Sequence, residues 1–236
     1  MTEYLHGIDV SHWQGTMDWR KAKAKGVQFA MIKATEGMNY VDTQFKANVD
    51  GCKAVDIPFG IYHFWRSMVA PVMQYDNIMR ACDYIGKPVP IAIDVEIFDG
   101  LTPEQNKVAL VQLVQQLYME TEKLPTVYTR KSIWDSNVAP YYRWKTLPLW
   151  VANYGVTSPA LPRDWVGWHI WQYEVADAGP AYGAQSAKID LNHVKPAYLD
   201  YYGIGVAHPE PEPEPQEYDI TITLDGVTYS GKVNKS

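Results

Sequence analysis

The sequence predicts an α/β fold in which eight β-strands close into a barrel. Apolar runs rich in strand-forming residues recur eight times along the 236-residue chain, and helix-like segments separate the first five of them. Alternation of strands and helices is typical of parallel strands joined by crossover helices. A chain of this length is sufficient for one large barrel domain.

The predicted strands are connected differently in the two parts of the chain. They cover residues 6–10, 28–34, 58–65, 89–96, 125–130, 148–154, 168–173 and 188–192. After about residue 147 the connections become short or irregular. We therefore expect the helical cover of the barrel to be incomplete around its last strands.

Helices are predicted at residues 17–25, 43–55, 71–85 and 103–123. The last of these has the clearest start, with Thr102 as the N-cap, Pro103 at the first helical position and Gln105 at the third. Apolar residues then repeat at helical spacing, at Leu110, Leu113, Val114 and Leu117. This face is predicted to pack on the sheet.

Three predicted strands carry the pattern Ile-Asp followed by an aliphatic residue, at Asp9, Asp94 and Asp190, and Glu96 follows the middle copy. Aspartate is depleted from strand interiors, and a buried charge is costly unless it is paired. In a barrel of parallel strands the site is assembled at the carboxyl ends of the strands. Asp9 ends the first strand, Asp94 and Glu96 end the fourth, and Asp190 is expected near the end of the eighth. All four acids are therefore predicted at one mouth of the barrel.

The Asp94 and Glu96 pair has a spacing that suits acid chemistry. Residues two apart on a strand point to the same face, with Cα atoms roughly 6 to 7 Å apart. Like charges this close raise at least one pKa, and a carboxyl group kept protonated near neutral pH can act as a general acid. Glycoside hydrolysis needs such an acid at the leaving oxygen, and the longer Glu96 is the better donor. The alternative is an ion-pair or metal cluster at the barrel rim.

Aromatic residues favour a sugar ligand for the predicted site. The chain has nine Trp and 17 Tyr, and Tyr62, Phe64, Trp150 and Tyr154 lie in predicted strands. Flat apolar faces with a polar edge suit pyranose rings. Trp13 is a further candidate because it follows Asp9 where a loop begins. The alternative for each ring is a place in the core.

Composition and charge exclude several other classes of protein. The net charge of −6 comes from 21 basic and 27 acidic residues, and six acids and two lysines lie in residues 208–236. The rest of the chain is close to neutral, which argues against a nucleic-acid partner. No apolar stretch reaches the length of about 18 residues that a membrane helix needs, so no membrane partner is expected. Cys52 and Cys82 are predicted to be free thiols.

The N-terminal residues lack both a basic region and a long apolar region, so we expect no secretory signal. The predicted location is the cytoplasm, and export needs a route other than such a signal.

The C-terminal residues predict a spacer and a small β element. Residues 208–217 alternate Pro and Glu, which favours an extended linker. Residues 218–236 alternate apolar and polar side chains around Asp225-Gly226, which predicts a β-hairpin. Because an isolated hairpin is marginally stable, we expect it to pack on the barrel, on a second copy or on another protein. The alternative is a frayed or truncated tail.

Six motifs in collinear order resemble the glycoside hydrolase family 25 muramidases, the Chalaropsis-type lysozymes, which are often endolysins. The match runs over about residues 5–200. The motifs are Gly7-Ile8-Asp9-Val10-Ser11-His12-Trp13-Gln14-Gly15, Phe59-Gly60-Ile61-Tyr62-His63-Phe64, Asp94-Val95-Glu96, Trp150-Val151-Ala152-Asn153-Tyr154, Trp171-Gln172-Tyr173 and Ile189-Asp190-Leu191-Asn192. Within them Asn153 and Gln172 are further candidates for substrate binding.

The resemblance implies a flattened TIM-like (β/α)5(β)3 barrel over residues 1–207 and a muramidase activity. The implied reaction cleaves the β-1,4 bond between N-acetylmuramic acid and N-acetylglucosamine in bacterial peptidoglycan. By the same resemblance, Glu96 is the catalytic acid, Asp94 supports the acetamido group as internal nucleophile, and Asp9 and Asp190 share the cleft. Substrate-assisted glycosidases of this kind depart from the two-carboxylate scheme.

Two alternatives come from other classes of function. The first is a catalytically inactive barrel that binds cell-wall glycan through its aromatic cleft. The second is metal-dependent hydrolysis, with divalent cations bridging the acids. Because the histidines lack metal-ligand spacing, we expect no metal and no cofactor. Those histidines are His12, His63, His169 and His193.

Overall fold

The computed structural model describes residues 4–205, 217–224 and 227–234. The chain divides into two compact units, residues 1–206 and residues 207–236. The first unit contains the barrel, and the second contains a pair of β-strands.

The first unit is built on nine strands in its described part. They are β1 (Leu5–Val10), β2 (Phe29–Glu36), β3 (Tyr40–Val41), β4 (Phe59–Phe64), β5 (Ile91–Asp94), β6 (Thr126–Thr129), β7 (Leu149–Ala152), β8 (Ile170–Ala176) and β9 (Ile189–Val194). Their order is β1-β9-β8-β7-β6-β5-β4-β2-β3, and an additional pairing of β1 with β2 closes the barrel. The short β3 pairs only with β2. Eight strands therefore form the closed barrel.

Helices follow only the first five barrel strands, apart from one at the end of the unit. They are α1 (Trp19–Ala24), α2 (Phe45–Ala54), α3 (Pro71–Ile85), α4 (Pro103–Thr121), α5 (Lys131–Asn137) and α6 (Pro196–Tyr201). This arrangement confirms the predicted (β/α)5(β)3 barrel. None of these described helices is long and apolar enough to cross a membrane.

The start of α4 follows the prediction. Thr102 Oγ1 accepts a hydrogen bond from the Gln105 backbone N–H at 3.3 Å, and Gln105 Oε1 accepts one from the Thr102 N–H at 2.9 Å. This reciprocal cap satisfies two backbone donors that a helix start leaves without an intrahelical partner.

The direction of the last barrel strand corrects one expectation. β9 runs antiparallel to both of its neighbours, β1 and β8. The connection from β8 to β9 has no crossover α-helix, and parallel pairing requires a long crossover, usually helical. Asp190 therefore lies near the start of its strand and not near the end. The antiparallel direction nevertheless places it at the mouth where β1 ends.

Strand alternation separates the side chains inside the barrel from those facing the helices. On β2, Phe29 and Met31 belong to the apolar cluster inside the barrel, whereas Ala30 and Ile32 belong to the larger cluster on the other side of the strands. Tyr198 and Leu199 of α6 join the inner cluster. The interior is thus filled with side chains, and space for a ligand remains at the mouth.

The second unit contains β10 (Glu217–Leu224) and β11 (Val227–Asn234), which pair antiparallel from Glu217 opposite Asn234 to Leu224 opposite Val227. The first of these strands begins at Glu217, which the sequence had placed in the linker. The predicted turn at 225–226 and the predicted linker over 208–216 lie outside the described residues.

Candidate active site

A cleft of about 450 Å³ opens at the mouth of the barrel. The four predicted acids, Asp9, Asp94, Glu96 and Asp190, all border it. Asp9 and Asp94 are buried at its base, and Asp190 is partly exposed. The structure therefore brings together carboxylates from β1, β9 and the end of β5.

Asp9 and Asp190 occupy paired positions on the antiparallel strands β1 and β9. Burial, and then the charge of Asp190, raise the pKa of Asp9 well above its usual value. Burial, and then the charge of Glu96, raise the pKa of Asp190 to about 6. Both carboxyl groups therefore stay protonated at pH values where the carboxyl group of an exposed aspartate is ionised.

Side-chain amides hold the Asp9 carboxylate in place. Asp9 Oδ2 accepts hydrogen bonds from Gln172 Nε2 at 2.8 Å and from Asn192 Nδ2 at 2.7 Å. These bonds oppose the rise in its pKa.

The oxygens of the same two amides also accept hydrogen bonds. Gln172 Oε1 accepts from the hydroxyls of Tyr128 and Tyr154 at 2.8 and 2.6 Å. Asn192 Oδ1 in turn accepts from Trp150 Nε1 at 2.8 Å. The connected network fixes one carboxylate and the rings around it.

The backbone after β5 continues the strand geometry and thereby directs Glu96 into the cleft. The Val95 N–H donates to the Tyr128 carbonyl at 2.9 Å, and the Val95 carbonyl accepts from Thr129 Oγ1 at 2.9 Å. With Val95 held on both sides, Asp94 and Glu96 point to the same face. Both line the cleft, as the spacing predicts.

Asp94 is the buried member of this pair. Its Oδ1 atom is shielded from solvent and accepts no hydrogen bond from any residue that the structure describes. Burial and then the charge of Glu96 raise the pKa of Asp94 well above its usual value, whereas the positive charge of Lys33 opposes that rise. A buried oxygen without a partner is costly, and an N–H donor on a ligand would remove that cost.

Glu96 is more exposed than Asp94 and faces a cation. Its side chain is 28% exposed, and its Oε2 atom lies 4.0 Å from Nε of Arg130. A carboxyl group in this position can reach a ligand in the cleft.

The Trp13 ring stands at the opening of the cleft, where it is 75% exposed. It lies in a single 3-10 turn, His12–Gln14, capped by Ser11. The Gln14 carbonyl accepts from the backbone N–H groups of Gln185 and Ser186 at 2.9 and 3.2 Å. The turn is therefore tied to the loop before β9, and an exposed aromatic face is held at the entrance.

Five of the seven predicted substrate-binding residues line the cleft: Trp13, Tyr62, Trp150, Tyr154 and Gln172. Trp150 is only 1% exposed and packs edge-on against Tyr62 and Tyr128, so it supports the other rings.

The other two predicted substrate-binding residues, Phe64 and Asn153, are not among the lining residues. The Phe64 ring lies beneath two cations, 4.7 Å from Lys33 Nζ and 5.2 Å from Arg66 Cζ. Asn153 Oδ1 accepts from the Ala160 N–H at 2.8 Å and holds a loop. Both side chains have partners within the fold, and their part in substrate binding stays a prediction.

Several residues of the site were missed in the sequence. Lys33 is a charged residue that follows the apolar first half of strand β2, in phase with the inward-facing Phe29 and Met31, and that alternation was an available signal. Tyr128 pairs in register with Asp94, so it faces the same side. Arg130 and Lys188 also line the cleft, two residues from Tyr128 and Asp190 in the predicted strands 125–130 and 188–192, so alternation was a signal for them as well.

The histidines have roles in packing and hydrogen bonding. His12 Nδ1 pairs with Asp42 Oδ2 at 2.7 Å, and buried His63 lies between Thr35 and Gln74. Among the residues that the structure describes, no group of three or more His, Cys, Asp or Glu side chains is arranged to hold a metal ion.

Residues 8–181 match the family model for glycosyl hydrolases family 25. The chain is 31% identical over 202 residues to Lysozyme M1 of Streptomyces globisporus, covering 81% of this chain and 68% of that protein. Its structure is similar to a bacterial lysozyme from Streptomyces coelicolor, with a TM-score of 0.73 and 27% identity over 86% of this chain and 98% of the other. A muramidase from Acremonium alcalophilum gives a TM-score of 0.72 and 26% identity, over 85% and 98% of the two chains.

Proposed function

Because the chain belongs to glycosyl hydrolases family 25, it is a glycoside hydrolase of the lysozyme type, and we propose the residues and steps by which it acts. The substrate is bacterial peptidoglycan, and the bond cleaved is the β-1,4 bond between N-acetylmuramic acid and N-acetylglucosamine. The observation that carries the proposal is the Asp94 and Glu96 pair, which shares one cleft with Asp9 and Asp190.

Glu96 is the proposed general acid. It donates its proton to the glycosidic oxygen, which leaves with the bonding electrons of the C1–O bond. General acid catalysis of this kind contributes roughly 10² to 10⁴-fold to the rate. The partial exposure of Glu96 supports this role because the group must reach both the substrate and, later, a water molecule.

Asp94 is proposed to support the acetamido group of the substrate. The acetamido carbonyl oxygen forms a bond to C1 as the leaving group departs, giving an oxazolinium-like ring. The N–H of that group then carries positive charge and donates to a carboxylate. The buried Oδ1 atom of Asp94 has no hydrogen-bond partner among the described residues, which supports this role.

The second step regenerates the enzyme. Glu96, now ionised, removes a proton from water as the water oxygen attacks C1 and the ring opens to restore the acetamide. Two displacements at C1 leave its configuration unchanged, so the reaction is retaining. No enzyme-linked sugar forms, which fits substrate-assisted glycosidases.

Asp9 and Asp190 are proposed to tune the field around the reacting sugar. Both line the same cleft as the pair, and Glu96 is the neighbour whose charge raises the pKa of Asp190. An anionic wall stabilises the cationic character that develops at C1 in the transition state.

The bond that is cut can be identified directly. Peptidoglycan is digested, the products are reduced with borohydride and the reduced sugar is identified by mass spectrometry. Reduced muramic acid is the expected product, and reduced glucosamine would contradict the proposed bond. The inactive, glycan-binding barrel predicts no new reducing ends, and metal-dependent hydrolysis predicts loss of activity with a chelator. We expect full activity with the chelator present.

The C-terminal hairpin is proposed to pair with a second copy or to bind the cell wall. Two eight-residue strands leave two outer edges whose backbone groups are open to pairing. Deletion of residues 208–236 is expected to reduce the oligomeric state measured in solution or to weaken the binding to cell walls. No change in either measurement would contradict this role. The protein acts on the bacterial wall, and holin-type release or another export route stays a prediction.

A further inference from the structure

Arg130 stands between the catalytic cleft and a second pocket. The second pocket has a volume of about 470 Å³ and is lined by residues that include Lys131, Ser132 and Asn153. Arg130 and Tyr154 line both spaces. A ligand that reaches from the cleft into the second pocket therefore passes the Arg130 side chain.

The guanidinium group of Arg130 has N–H donors that the described residues leave without a hydrogen-bond acceptor. In the described part of the chain it lies 4.0 Å from Glu96 Oε2, makes one long hydrogen bond of 3.5 Å to the Tyr154 hydroxyl and stands 5.4 Å from the centre of the Tyr154 ring. A guanidinium has five N–H donors in a planar fork that matches a carboxylate. Most of these donors are free to bind a ligand.

Neighbouring cations differ from Arg130 in this respect. Lys131 Nζ is bound to Asp135 at 2.8 Å, and Lys188 Nζ is bound to Asp177 at 3.0 Å. Lys33, inside the barrel, is bound to Glu36 at 2.9 Å. Arg130 is thus the cation beside the cleft whose charge is least satisfied by the residues described.

The proposed substrate carries an anionic group that a guanidinium can bind. A muramic acid residue carries a lactyl ether, whose carboxyl group is either free or joined to a peptide with carboxylates of its own. The pyranose ring and its acetamido group are neutral. A cation at the edge of the cleft can therefore pair with the carboxylate of the lactyl substituent, whereas the sugar ring offers it no charged partner.

We propose that Arg130 is a specificity-determining residue that binds a carboxylate of the muramyl substituent, and that the second pocket receives the rest of that substituent. This inference rests on the proposed function. It explains how an acidic cleft accepts an anionic glycan. It also implies that neutral aminosugar chains without a lactyl group are bound less well.

The test compares Arg130→Gln with the wild type on three soluble glycan substrates. The first bears peptides, the second is peptide-free with free lactyl carboxylates, and the third is peptide-free with those carboxylates converted to methylamides. On at least one of the first two, kcat/KM should fall about tenfold through KM, because a charge-assisted bond is lost. On the methylamide substrate KM should change less than twofold, and a fall in kcat shared by all three substrates reflects the loss of the charge beside Glu96.

The two carboxylate substrates identify the source of the anion. A loss on the peptide-bearing chains alone assigns the peptide carboxylates, and a loss on the peptide-free chains alone assigns the lactyl carboxylate. A loss on both means that Arg130 binds either anion. An equal loss through KM on all three substrates, or no such loss on any, would overturn the proposal. Either result leaves the function intact as long as the wild type still releases reducing muramic acid ends.

Two further variants control for charge and folding. Arg143→Gln removes another guanidinium that lies 5.4 Å from a tyrosine ring, that of Tyr142, at a site that does not line the cleft, and it should behave as wild type on every substrate. Arg130→Lys keeps the charge without the planar fork and should recover part of the lost affinity. Failure of Arg130→Lys to exceed Arg130→Gln on the carboxylate substrates would also contradict the proposal.

Discussion

Asp9 and Asp190 face each other across two antiparallel strands, with their Cα atoms paired in register. Each contributes a carboxyl group to the same cleft, and each has a raised pKa. Charges of the same sign held this close destabilise the fold, so the site retains them at a cost in stability. This relationship predicts how stability depends on pH.

Asp190→Asn should stabilise the protein at neutral pH. Because the folded-state pKa of Asp190 is raised from 3.8 to about 6, the folded protein holds this proton more tightly than the unfolded chain does. Protonation of Asp190 therefore stabilises the folded state below pH 4, and this stabilisation is lost as the pH rises through 6. The shift corresponds to at most about 3 kcal/mol.

Urea unfolding of both proteins at pH 4 and pH 7 measures this effect. Asp190→Asn should exceed the wild type by about 1 to 3 kcal/mol at pH 7 and match it at pH 4. The pKa of His63 is lowered to about 4 by burial, which gives a pH dependence of opposite sign. That contribution is common to both proteins and cancels in the difference. An equal difference at both pH values would contradict the account, and exposed Asp76→Asn serves as the control.

Asp94→Asn should lower kcat by about a hundredfold with little change in KM, because its proposed partner is the acetamido group in the transition state. A thiazoline analogue of the cyclised acetamido sugar should bind the wild type tightly and this variant weakly. Titration calorimetry measures both affinities. Tight binding of the analogue to Asp94→Asn would exclude acetamide support by this residue.

Trp13→Ala should raise KM about tenfold, equivalent to about 1.4 kcal/mol, and leave kcat nearly unchanged. The ring is 75% exposed, so its loss should not lower the melting temperature. Trp13→Phe restores a flat apolar face and should restore most of the affinity. Tyr142→Ala is a matched control because its ring is 67% exposed and lies outside the cleft lining. An unchanged KM in Trp13→Ala would remove this ring from the substrate site.

Gln172→Ala should lower the free energy of unfolding by about 1 to 3 kcal/mol, because Asp9 loses a donor and two tyrosine hydroxyls lose their acceptor. Denaturant titration measures this loss. The exposed Gln115→Ala should change stability by less than about 0.5 kcal/mol. Equal stability of the two variants would show that the network around Asp9 contributes nothing to the fold.

Much of the fold could be predicted because its signals are local. The cap at Thr102 and the helix at 71–85 depend on neighbouring residues, and the structure places α3 over those same residues. The direction of β9 depends instead on how the chain returns after β8, which no short pattern encodes. The predicted position of Asp190 near the end of its strand was therefore wrong, although its predicted position at the mouth of the barrel was right.

The site was predictable where alternation along a strand gives the direction of a side chain. Asp94 and Glu96 follow that rule, and Lys33 and Tyr128 would have been found by applying it to β2 and β6. Phe64 was chosen as an aromatic residue of a predicted strand and Asn153 as part of a motif, and neither signal specifies whether a side chain lines the cleft. Arg130 follows the end of β6, so its contact with Glu96 depends on the register between the neighbouring strands β5 and β6.

Glu96 is the proposed acid and base of the muramidase, and lysis of cell walls by Glu96→Gln decides this role. The substitution keeps the shape of the side chain and removes its proton, so turbidity loss of purified cell walls should slow by about 10³-fold or more. The melting temperature should stay close to that of the wild type. Glu174→Gln, at an exposed position on β8, should lyse walls at the normal rate. Near-normal lysis by a folded Glu96→Gln variant would contradict the account.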